Sequence, residues 1–130
     1  MTVILVIVGI IIIYKGYKYI VQTNSEFSHI EIAGVTFSND DGTSRQLIIS
    51  KLNKSDKLKL KPDPSNPHDE NAIAVLNMRG LIVGWIPRGI NIQVLELLKE
   101  NKIKSVIVAE IYGFDILGVQ IELELKEGSI

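Results

Sequence analysis

Cysteine is absent from this 130-residue chain, which removes disulfide scaffolds, thiolate zinc sites and thiol nucleophiles together. Histidine occurs twice, at His29 and His68, too few for a histidine-built metal centre. Strong charge of either sign is lacking as well. Setting aside Lys15 and Lys18, 12 basic side chains remain from residue 22 onward against 15 acidic ones, a net of −3, so no global field draws in a polyanion. Any nucleic-acid contact must therefore be local. Proline is scarce, with four in all, yet three of the four crowd into residues 62–67. No phosphate loop, nucleophile elbow or metal-ligand spacing is present, and no cofactor, metal or catalytic role is expected. The neighbours His68, Asp69 and Glu70 do not form a ligand set, because consecutive residues of an extended chain point to opposite faces.

The chain has room for one domain. Its apolar residues are unevenly spread: residues 2–13 carry no charge and consist mostly of Ile, Val and Leu. Twelve residues of helix span about 18 Å, short of the roughly 30 Å hydrocarbon core. Continuation through Tyr14, Tyr17, Tyr19 and Val21 supplies the missing length if Lys15 and Lys18 reach the headgroups. The expectation is an uncleaved transmembrane helix over residues 1–21, a tether over 22–27 and a domain over 28–130. Lysines follow the run and none precede it, which places the domain of this single-pass membrane protein on the cytoplasmic side.

Within the domain, alternation and turn signals predict short strands. Residues 28–37 read as a strand, ended by Asn39-Asp40-Asp41-Gly42. Residues 44–52 fit a short helix or a strand, with the helix favoured. Leu58 and Leu60 alternate with Lys57, Lys59 and Lys61 as in a half-buried strand with a solvated lysine face. Pro62, Pro64 and Pro67 then force a rigid loop. Residues 72–78 and 81–86 form a hairpin around Arg79-Gly80. Ile92, Leu95 and Leu98 mark the inward stripe of a helix over 90–101, and strands over 105–112 and 118–125 close the chain. The expected fold is mainly β, a small barrel with one main helix, since closure removes exposed edges.

The run Leu58-Lys59-Leu60-Lys61-Pro62-Asp63-Pro64-Ser65-Asn66-Pro67-His68-Asp69-Glu70-Asn71-Ala72-Ile73-Ala74-Val75, followed by Gly84-Trp85-Ile86-Pro87-Arg88, resembles the HIRAN domain. Ile32-Ala33-Gly34-Val35 is similar to that family's opening strand. The resemblance implies an OB-like β-barrel that binds single-stranded DNA at a free 3′ end. Matched position by position, it implies that Asn66 and Asp69 hold the terminal 3′-hydroxyl and that Phe37, Trp85 and Tyr112 face the last nucleotides. The family's arginine and paired aromatics after the first strand are replaced here by Thr36-Phe37-Ser38.

The chemistry is coherent on its own terms. A carboxylate at Asp69 accepts from a hydroxyl and repels a phosphate, so it selects a 3′-OH over a 3′-phosphate. Aromatic rings add sequence-tolerant stacking. Arg45 and Arg88 are the expected phosphate partners. Plainer readings stand beside these: Asp69 and Asn71 as loop caps, Trp85 as core filler. The alternative function is a membrane-anchored protein- or peptide-binding adaptor that uses the same groove.

Overall fold

The computed structural model describes the backbone of residues 9–14 and 17–22, and residues 27–128 in full. Residues 23–26 of the expected tether and residues 1–8, the start of the apolar run, lie outside the described residues. Where a transmembrane helix is expected, Gly9–Tyr14 (β1) and Tyr17–Gln22 (β2) pair antiparallel instead, with Ile11 opposite Ile20 and Tyr14 opposite Tyr17. Isoleucine and valine are stiff at χ1 and fit a pleated strand well, which suits this pairing. Among the described residues no helix is long and apolar enough to cross a membrane.

The domain holds two three-stranded antiparallel sheets. One is ordered β3-β8-β7, from Ile30–Glu31 (β3), Gly118–Leu125 (β8) and Ile103–Tyr112 (β7). The other is ordered β4-β5-β6, from Lys59–Pro62 (β4), Ile73–Leu76 (β5) and Ile82–Trp85 (β6). Neither sheet closes on itself, and their edges meet at two isolated bridges, Ala33 with Trp85 and Lys57 with Ile107. The bridge at Ala33 is made by reciprocal backbone bonds to Trp85 of 2.8 and 2.9 Å.

The first strand is shorter than its apolar pattern suggests. Gly34 adopts φ +72°, and the Phe37 N–H closes a turn onto the Gly34 carbonyl at 3.3 Å, which ends pairing and swings Phe37 outward. Arg45–Ser50 is the helix favoured by sequence (α1); the Ser44 hydroxyl caps it by accepting from the Leu47 N–H. Asn91–Lys99 is α2. Its buried stripe is centred on Asn91 and Val94, whereas Ile92, expected inward, is 58% exposed. The core between the sheets is built from Ile, Val and Leu: Ile49, Ile73, Val75, Val83, Val108, Ile121 and Leu123 are fully buried. Cross-sheet packing of this kind holds the domain together.

Candidate nucleic-acid interface

Pro62 ends β4, and Pro64 and Pro67 deny ladder donors to the loop over residues 63–71, much of whose polar bonding lies within the loop itself. Its ends are pinned where the Asp63 N–H donates to the Ala72 carbonyl at 2.8 Å, and the Ala72 N–H to the Asp69 carbonyl at 3.1 Å. Asn66 organises the interior. Its Oδ1 accepts from the backbone N–H of His68 at 2.9 Å and of Asp69 at 3.2 Å, while Nδ2 donates to Asp63 Oδ2 at 3.2 Å. Both acceptor sites of the Asn66 amide are thus spent, and one N–H remains.

Asp69 is held from two sides. Oδ1 accepts from the Asn71 N–H at 2.9 Å, a local turn, and Oδ2 accepts from Asn91 Nδ2 at 2.7 Å, a long-range contact with the start of α2. Arg88 stands 3.8 Å away through Nε and anchors its Nη2 on the His68 carbonyl at 2.9 Å. With the Arg88 side chain 73% exposed, that ion pair contributes little to stability. A carboxylate has about four acceptor positions, so Asp69 keeps capacity for another donor. The local cap and the ligand role are therefore compatible.

The loop faces a cleft of about 360 Å³. Six side chains singled out in the sequence line it: Phe37, Arg45, Asn66, Asp69, Trp85 and Arg88. Tyr112 does not. It is 44% exposed, and its ring covers Gly118 on the adjacent strand, where an added Cβ would collide with it. Trp85 is half-buried: its backbone bridges the sheets and its ring forms a cleft wall. Phe37 is 67% exposed at the turn that Gly34 creates. The lysines Lys51, Lys54, Lys57, Lys59 and Lys61 are exposed, and none of them lines this cleft.

Gly34 is the point on which the cleft converges. A Cβ there would lie 3.1 Å from Arg45 Nη1, 3.4 Å from Trp85 Cδ1 and 3.8 Å from Phe37 Cδ2. Both its positive φ and this close approach call for glycine. Arg45, an expected phosphate partner, is only 9% exposed, with Nε on Asn39 Oδ1 and Nη1 on the Gly34 carbonyl, each at 2.8 Å. Burial pulls its guanidinium pKa below the ordinary value, and the nearby Asp40 charge offsets this in part.

Sequence reasoning missed Asn91 and Gly34. Asn91 could be read as a helix-start residue, but nothing in the sequence marks Asp69, 22 positions earlier, as its partner. Among the described residues no group of histidine and carboxylate side chains is arranged to hold a metal.

A family model described as the HIRAN domain matches residues 28–125. The crystal structure of the HIRAN domain of human HLTF is similar, with TM-score 0.54 and 19% identity over 76% of this chain and 75% of that one. A Lactobacillus plantarum protein structure is also similar, with TM-score 0.54 and 17% identity over 74% of this chain and 90% of that one. No protein of curated function matches this chain.

Proposed function

The chain belongs to the HIRAN domain family, and from that premise we propose that it is a binding module for single-stranded DNA whose cleft receives a free 3′ end. The observation that carries this reading is the complementarity of Asp69 and Asn66. A hydroxyl donates one bond and accepts another; Asp69 has acceptor capacity left, and Asn66 has only a donor left. A phosphate at the same place can only accept and meets the Asp69 charge. Trp85 and Phe37 offer faces to the terminal bases, each stack contributing about 1 to 3 kcal/mol. Two stacks and one end contact sum to no more than about 9 kcal/mol before the cost of association, so binding is micromolar at best.

Fluorescence anisotropy on the full chain tests the reading. Oligonucleotides ending in 3′-OH bind at least about tenfold more tightly than the same strands ending in 3′-phosphate, and Asp69→Asn narrows that gap by a similar factor. Equal affinity for the two ends, or none for either, overturns it.

We also propose membrane association through the charge-free apolar run at residues 2–13, with the domain on the cytoplasmic side. Alkaline washing of membranes leaves the chain in the pellet; its release into the wash argues against attachment. Protease digestion of intact cells that removes the C-terminal domain overturns the orientation.

A further inference from the structure

The cleft contains a cation that capture of a hydroxyl end does not use. Arg45 is 9% exposed, forms no ion pair with any described residue, and keeps guanidinium N–H groups beyond the two bonds to Asn39 and Gly34. The nearby Asp40 charge makes no ion pair with it, so the spare guanidinium N–H groups remain for an anion in the cleft that Arg45 lines. The guanidinium is also fixed in advance. Asn39, which orients Nε, is itself tied by Nδ2 to the Ile82 carbonyl and to Thr43 Oγ1, each at 3.0 Å. Glycine at position 34 lets the guanidinium, the Trp85 ring and the Phe37 ring meet at one wall of the cleft.

Charges around Arg45 restrict where an anion can sit. A neighbouring hollow of about 530 Å³ shares Arg45, Asn66, His68 and Trp85 but adds Asp40, Asp41 and Asp63, whose carboxylates repel a phosphate. The 360 Å³ cleft has a single carboxylate, Asp69. It also sits near the low end of the roughly 300 to 1,000 Å³ typical of ligand sites, a size for one nucleotide rather than several.

We propose that Arg45 is a receptor for a single phosphate and that the minimal ligand of the cleft is a nucleoside 5′-monophosphate. Its phosphate lies on Arg45, its base on the ring of Trp85 or Phe37, and its 3′-hydroxyl on Asp69 and Asn66. The hydroxyl half of this arrangement rests on the function proposed above; the phosphate half rests on the guanidinium alone. A free mononucleotide and the last nucleotide of a strand are then the same ligand to this domain.

Trp85 is the only tryptophan of the chain, so its fluorescence reports occupancy of the cleft. The full chain is titrated with thymidine, thymidine 5′-monophosphate and thymidine 3′-monophosphate. The 5′-monophosphate binds at least about tenfold more tightly than thymidine, as expected for a charge-assisted contact. Arg45→Gln removes that advantage, Arg45→Lys keeps part of it, and the preference for a free 3′-hydroxyl survives both. With oligonucleotides, Arg45→Gln lowers the slope of log affinity against log salt by about 0.7, a change that a purely structural defect does not produce. If Arg45→Gln fails to fold, the wild-type comparison and Arg45→Lys decide. A 5′-monophosphate no tighter than thymidine, or an Arg45→Gln protein with unchanged affinity and salt slope, overturns the receptor. Discrimination between 3′ ends without a 5′-phosphate advantage rejects the receptor and leaves the end-binding reading intact. The reverse pattern rejects end binding and leaves the receptor.

Discussion

The side-chain amide of Asn91, at the first turn of α2, donates a 2.7 Å hydrogen bond to Oδ2 of Asp69 in the proline loop. Asn91 is 2% exposed, so this bond is protected from water and ties the loop to the helix across 22 residues of sequence. Hydrogen bonds to charged groups contribute about 1.5 to 3 kcal/mol. Asn91→Ala is expected to destabilise the domain by that amount in denaturant titrations. Binding of 3′-OH oligonucleotides weakens as well, because the carboxylate loses its fixed orientation. Retention of both stability and end discrimination would show that Asp69 is held by its own turn alone.

Substitution at Gly34 separates backbone strain from crowding of the cleft. Gly34→Ala places a Cβ 3.1 Å from Arg45 Nη1 at φ +72°, whereas Gly42→Ala, at φ +87°, meets nothing within 4 Å. Both carry the left-handed penalty of about 1 to 2 kcal/mol. Thermal melts should show a similar loss for each, about 4 to 8 °C per kcal/mol for a domain of this size. Only Gly34→Ala should also weaken oligonucleotide binding. Equal binding by the two variants would mean that the convergence on Gly34 does not shape the ligand site.

Trp85 and Tyr112 were equivalent candidates in the sequence and are distinct in space. Trp85→Ala is expected to cost about 1 to 3 kcal/mol in affinity, the value of one stacked base, and Trp85→Phe to recover part of it. Tyr112→Ala should change affinity by less than about threefold, since its ring covers Gly118 and does not line the cleft. Anisotropy on the three variants measures this. A larger loss at Tyr112 than at Trp85 would move the binding path to the β7–β8 edge.

Acid should loosen the segment that orients Asn39 and Arg45. Asp41 accepts from the Thr43 hydroxyl at 2.6 Å and from the Thr43 N–H at 2.9 Å, and these bonds hold its pKa below the ordinary aspartate value. A lowered folded-state pKa means that the stabilisation is complete above the unfolded aspartate value and is lost as pH falls through the lower, folded one. Thr43→Ala is accordingly expected to melt below wild type at pH 7. The gap should narrow as the solution is acidified past the usual aspartate range. A gap that stays constant with pH would assign the effect to the Thr43–Asn39 bond rather than to Asp41.

Sequence alone determined the local features. The strand and helix order from residue 45 onward follows from alternation over Leu58 and Leu60, the Asn77–Gly80 turn, and the apolar stripe of α2; each is set by residues a few positions apart. The loop motif over residues 62–75 was equally legible, because prolines and Asx side chains impose conformation on their immediate neighbours. Tertiary structure decided the rest. The partner of Asp69, the burial of Arg45, the exclusion of Tyr112 from the cleft and the meeting of two open sheets at Ala33 and Trp85 all depend on elements distant in sequence. The strand pairing of Gly9–Tyr14 with Tyr17–Gln22 shows the same limit, since an unbroken apolar run has no period from which helix and strand can be told apart. Such contacts arise from packing, which is blind to sequence separation, whereas periodicity and turn chemistry act only over a few residues.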